Sequence, residues 1–137
     1  MTVFIDASFL IALFNKEDEF YPKAKKIVQN LEVKATQFVT SNIALAEAVN
    51  LLFRLKGASV AKRLLQVFKR SGIEEIFVGR EVFAKAYRLL FSEKTKRGLN
   101  LFDCLHLATM KVLKIKTILS FDRDFKRQKV EVMGIKT

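Results

Sequence analysis

The chain has 137 residues, half of them hydrophobic, with 13 Phe, no Trp and a formal net charge of +11. That length fits one domain with a real core, and that hydrophobic content excludes a disordered chain. The positive balance points to nucleic acid or an anionic membrane surface as partner.

Val3–Ile5 reads as a buried strand, and Asp6 to about Phe14 as a short helix. The stretch Ala7–Phe14 looks briefly like a signal-peptide core. No basic residue precedes it, no cleavage site follows it, Asp6 opens it, and it is far too short to cross a bilayer. The expectation is a cytosolic protein with no membrane partner. A second helix is expected over about Phe20–Leu31, its first turn holding the single proline, Pro22. Gln37–Thr40 is a second strand. Thr40 or Ser41 can cap the next helix, about Asn42–Lys56, which Gly57 ends. Ala58–Arg70 follows as a helix with Val60, Leu64, Leu65, Val67 and Phe68 on its apolar side, stopped at Ser71-Gly72. Glu75–Val78 is a third strand, and Glu81–Lys96 an amphipathic helix before Gly98. Asn100 caps a helix over Leu101–Leu113 that is apolar nearly all round, which places it centrally. Lys116–Ser120 and Val130–Met133 complete the set as fourth and fifth strands. Strands alternating with helices predict an α/β fold whose parallel sheet is covered on both faces. No Ser/Gly-rich linker and no repeat divides residues 1–137, so a single domain is expected.

Four carboxylates stand in apolar surroundings. Asp6 follows Val3-Phe4-Ile5; Glu47 lies in Ala44-Leu45-Ala46-Glu47-Ala48; Asp103 is embedded in Leu101–Ala108; Asp122 follows Ile118–Phe121. An ionised carboxylate in such a setting is costly unless something positive pairs with it. Each has an ordinary alternative. Asp6 can cap a helix, Asp103 can serve as the N3 partner of Asn100, and Asp122 and Asp124 can be turn residues. Taken together they read as one site, because parallel α/β sheets bind ligands beyond the carboxyl ends of their strands. Oxygen-only donors suit Mg²⁺ or Mn²⁺.

His106, the only histidine, lies three residues after Asp103 on the same helix face and reads as a core residue. A hydrolase built on two histidines is therefore excluded, and metal-activated water is the chemistry left. Cys104, the only cysteine, reads as a small buried hydrophobe, since no basic neighbour lowers its pKa. Glycines at 57, 72, 79, 98 and 134 form neither a P-loop nor a dinucleotide fingerprint. Of the basic clusters, Lys94, Lys96 and Arg97, together with Arg123 and Arg127, flank the acidic positions and are the best candidates to track a phosphate backbone.

The stretches Phe4-Ile5-Asp6-Ala7-Ser8, Ala44–Ala48, Leu101–Ala108 and Leu119-Ser120-Phe121-Asp122-Arg123-Asp124-Phe125 resemble the PIN domain, and within it the VapC-type toxins of toxin–antitoxin pairs. The resemblance runs nearly the full length, in order. It implies a three-layer α/β/α sandwich with a mainly parallel sheet of four to five strands. It also implies Mg²⁺- or Mn²⁺-dependent endoribonuclease activity. Metal ligation and catalysis are carried onto Asp6, Glu47, Asp103 and Asp122, with Asp124 replacing or assisting Asp122. Ser8 and Ser120 match positions where the family keeps a hydroxyl near the site. The implied partners are an RNA substrate, a small cognate antitoxin and a second copy of the chain.

The competing readings are a housekeeping RNA-processing nuclease and a non-catalytic RNA-binding domain. Phosphatases of the haloacid dehalogenase type want a second acid where Ser8 stands. Receiver domains want a phosphorylatable Asp where the third strand leads into Gly79-Arg80.

Overall fold

The computed structural model describes residues 1–92 and 99–135. It contains five strands, β1 (Thr2–Ile5), β2 (Gln37–Ser41), β3 (Glu74–Ile76), β4 (Thr117–Ser120) and β5 (Glu131–Gly134). Six helices accompany them: α1 (Ala7–Phe14), α2 (Tyr21–Val33), α3 (Asn42–Lys56), α4 (Ala58–Arg70), α5 (Arg80–Leu90) and α6 (Leu101–Leu113). A 3-10 turn covers Arg123–Arg127.

The sheet has the order β3-β2-β1-β4-β5, and every pairing is parallel. Parallel strands need crossovers, and these are right-handed almost without exception. From β1 to β3 the chain steps in one direction, which puts α1–α4 on one face. It then reverses to reach β4, which puts α5 and α6 on the other face. The sandwich expected from the sequence is therefore present, with a sheet that is wholly parallel. The central strand is covered on both sides: Val3, Phe4 and Ile5 are fully buried, and the Phe4 ring lies 5.6 Å from that of His106 on α6.

Helix ends follow local chemistry. Ser41 caps α3 by accepting from the Ala44 N–H at 3.0 Å, and Gly57 closes it. Asn100 and Asp103 form a reciprocal capping box at the start of α6. Cys104 lies buried between α5 and α6, where burial pushes its thiol pKa up, as expected of a packing residue.

Several boundaries depart from the sequence expectation, and two of the elements show why. The third strand ends at Ile76 instead of Val78. Its ladder partner runs out at Ser41, where α3 begins, and the Val78 N–H is taken by the Asn42 side chain at 2.8 Å. The helix expected over Glu81–Lys96 starts at Arg80 and ends at Leu90, where the Ser92 hydroxyl donates to the Leu89 carbonyl. Residues 93–96 of that expected span lie outside the described residues.

Gly134 occupies a position that only glycine fits. Its φ is +124°, and a Cβ there would stand 2.3 Å from the carbonyl oxygen of Ser120, its partner across β4–β5. Gly134→Ala is expected to destabilise the fold by at least about 2 kcal/mol, read as a drop of several degrees in the melting temperature.

Candidate active site

The strand order reverses between β1 and β4, and such a switch point opens a crevice beyond the carboxyl ends of the two strands. Asp6 ends β1 there, and Ser120 ends β4. Asp6 is buried and caps α1, its Oδ1 accepting from the Phe9 N–H at 2.9 Å. The Ser8 hydroxyl donates to the same oxygen at 2.7 Å, and the Ser120 hydroxyl donates to Oδ2 at 2.5 Å. Both serines also accept from the turn that follows β4: Ser8 from the Phe121 N–H at 3.0 Å, Ser120 from the Asp122 N–H at 2.9 Å. Asp6 thus holds that turn through two hydroxyl relays. A carboxylate offers about four lone-pair sites, and three of those on Asp6 are used. Burial nevertheless raises the Asp6 pKa, with the three hydrogen bonds opposing that shift.

The turn so held carries Asp122 and Asp124. Asp122 accepts from the Asp124 N–H at 2.9 Å. On the other face of the sheet, the capping box aims Asp103 into the same space. One oxygen each from Asp103, Asp122 and Asp124 lie within 4.8 Å of one another. Burial, with the charges of Asp122 and Glu47 added, pushes the Asp103 pKa up to about 6, although the Asn100 N–H donates to it. Burial and Asp122 likewise raise Asp124, against the lowering effect of Arg127.

Glu47 comes from α3. It is half-buried, and its Oε1 lies 3.1 Å from Nε2 of His106. The histidine is 2% exposed, and its Nδ1 has no hydrogen-bond partner. The core reading of His106 holds, but the sequence reasoning missed its hold on Glu47. The signal was its spacing of three from Asp103 on one helix face.

Of the acidic residues singled out in the sequence, then, Asp103, Asp122 and Asp124 form the close group. Asp6 stands behind it through Ser120 and the turn. Glu47 stands beside it, within electrostatic reach of Asp103. Both Asp122 and Asp124 are in the group. Arg123 and Arg127 are exposed on the adjoining 3-10 turn. Lys94, Lys96 and Arg97 lie outside the described residues. A cleft at the opposite end of the strands, lined by Thr2, Gln37, Glu74, Lys116 and Glu131 among others, holds no such acidic group among the described residues.

The donor set fits a hard divalent cation. Oxygens bound to one Mg²⁺ at about 2.1 Å stand about 3 Å apart when adjacent and about 4.2 Å when opposite, which the 4.8 Å group accommodates. Burial first, and neighbouring carboxylates second, raise the pKa values of Asp103 and Asp124, a cost that a bound cation would offset.

The PIN domain family model matches residues 3–131. The chain belongs to the PIN domain family. Solved structures agree. VapC20 of Mycobacterium tuberculosis, described as a sarcin–ricin loop cleaving toxin, superposes with a TM-score of 0.80 at 27% identity, over 95% of this chain and 98% of that one. VapBC2 of Rickettsia felis, bound to a DNA fragment from its promoter, gives 0.72 at 20% identity over 97% and 98%. FitAcB of Neisseria gonorrhoeae gives 0.66 at 15% identity over 96% of each; at such identities the likeness is one of fold. No curated protein matches the sequence significantly. Among the described residues of this PIN domain, no helix is long and apolar enough to cross a membrane.

The raised Asp103 pKa has a consequence for stability. The folded state binds its proton more tightly than the unfolded chain does, so stability falls as pH rises from about 4 through about 6. Asp103→Asn keeps an oxygen for the Asn100 N–H and removes the charge. In chelator at pH 7.5 the variant is expected to melt a few degrees above the parent, and the gap should close by pH 4. A variant that melts lower at pH 7.5 would contradict the assigned strain.

Proposed function

We propose that this PIN domain is a Mg²⁺- or Mn²⁺-dependent endoribonuclease, the toxin of a toxin–antitoxin pair. The observation that carries the reading is the meeting of Asp103, Asp122 and Asp124 at the switch point of the sheet. Three acids from two distant segments, two of them with raised pKa values, form a site that costs stability when empty and gains a role when a cation fills it. The likeness to VapC20, itself described as a sarcin–ricin loop cleaving toxin, supports the substrate class. The net charge of +11 supports a polyanion.

In this reading Asp103, Asp122 and Asp124 hold the cation, and Asp6 and Glu47 complete its surroundings. The bound cation supplies an activated water and neutralises charge on the phosphoryl oxygens. Asp6 keeps the Asp122–Asp124 turn in place through Ser8 and Ser120. His106 holds Glu47 in one orientation by its Nε2 contact. Arg123 and Arg127, exposed on the adjoining 3-10 turn, supply positive charge for the phosphates near the scissile bond. Two similar structures bear on the partner: VapBC2 from Rickettsia felis, and a structure from Klebsiella pneumoniae described as a toxin–antitoxin complex. They support a small antitoxin as protein partner; a homodimer is proposed with it on the family resemblance.

The test is cleavage of single-stranded RNA by the purified chain. Activity is expected with Mg²⁺ or Mn²⁺ and none with chelator. Asp103→Asn should lower the rate on the order of 100-fold or more, with an unchanged circular dichroism spectrum. Cleavage by the variant at the parental rate would remove Asp103 from the mechanism. Cleavage that persists in chelator would remove the cation.

A further inference from the structure

Three aromatic rings form a column at the same end of the sheet. Phe121, between Ser120 and Asp122 in the chain, stacks on Phe9 at 5.1 Å and 7°, and on Phe20 at 4.5 Å and 11°. Phe9 and Phe20 make no ring contact with each other, so they flank Phe121 on its two faces. Phe9 is fully buried, while Phe20, at the start of α2, is 39% exposed. The column therefore begins in the core and ends on a ring that meets solvent.

The outer ring is held, and the middle ring of the column has a cation near it. The Phe20 N–H donates to the Asp18 carboxylate at 2.8 Å, which fixes its backbone. Lys23, one turn along α2, places its ammonium 6.0 Å from the Phe121 centroid. Of the three acids just before Phe20, Asp18 is thus engaged and Glu17 pairs with Lys56 at 3.5 Å, while Glu19 is exposed. Packing alone explains Phe9 and Phe121, but leaves the outward ring without a reason. Phe77 and Phe91 are more exposed still, yet neither is stacked on another ring. Phe20 alone, among the described residues, is an exposed ring in a parallel stack whose middle ring, Phe121, has an ammonium near it and adjoins the acidic turn.

A flat, pre-ordered ring at the end of a stack that has a cation near it is what single-stranded nucleic acid uses: a base stacks on the ring, and a phosphate meets the cation. We propose that Phe20 and Lys23 form a nucleobase-and-phosphate subsite for the RNA strand, flanking the acidic centre. The proposal rests on the ribonuclease reading and extends it to how the strand is held. Because every base has a π-face, the subsite grips without choosing sequence.

The test uses fluorescein-labelled single strands of about twelve nucleotides, one of oligoadenylate and one an abasic ribose-phosphate strand. Binding is measured by anisotropy in the Asp103→Asn background, so that nothing is cut. Phe20→Leu, which keeps apolar bulk without a ring, is expected to weaken oligoadenylate binding roughly tenfold and to leave abasic binding unchanged. Phe20→Tyr should bind both strands as the parent does. In cleavage assays Phe20→Leu should raise KM by a similar factor with kcat within about twofold. Undiminished oligoadenylate binding by Phe20→Leu would overturn the subsite and assign the exposed ring to a protein partner, as would equal weakening for both strands. Either result leaves the ribonuclease reading standing if the parent cuts RNA with Mg²⁺. A parent that cuts no RNA sinks that reading, and the subsite with it.

Discussion

The acidic centre depends on a carboxylate buried at the end of the central strand. Asp6 sits where β1 stops and α1 starts, and its three hydrogen bonds come from α1, from Ser8 and from the end of β4. A charge in that position is costly unless its lone pairs are met. Meeting them ties β1 to the turn after β4, because each serine that donates to Asp6 also accepts from that turn's backbone. The placement of Asp122 and Asp124 follows from this tie. Gly134 secures it from the far side, since its missing side chain lets β5 lie against the Ser120 carbonyl.

The rest of the site is organised by opposing demands. Asp103 gains a backbone donor from its capping box and an apolar setting from α6, and the second outweighs the first in its pKa. Nearby Glu47 and Asp122 add repulsion. A structure made only for stability would not collect these charges in one place. The same repulsion is what a bound cation would relieve. The His106 contact with Glu47 serves the same end, by keeping a further carboxylate oriented beside Asp103.

Much of the fold was legible because its signals are local. Ser41, Gly57 and Asn100 mark the ends of α3 and α6 through caps that involve neighbours three or four residues away. The end of β3 was not legible, because it is decided by where β2 runs out, more than thirty residues earlier in the chain. The same division holds for the site. Each acid stood out locally, as a charge in an apolar run or at the end of an element. Their grouping did not: Asp6 and Ser120 are 114 residues apart, and Glu47 and His106 are 59 apart. Whether Asp122 or Asp124 faced inward could not be read from Asp122-Arg123-Asp124 alone. The 3-10 turn brings both to Asp103.

The most direct measurement is a calorimetric titration of the chain with Mn²⁺, run in parallel on Asp122→Asn. If the carboxylates form a cation pocket, the parent gives a saturable isotherm and the variant loses most of it. Near pH 6 the parent's binding should also release protons, because Asp103 must give up its own. A parent that shows no saturable binding, or a variant that binds as the parent does, would contradict the assignment.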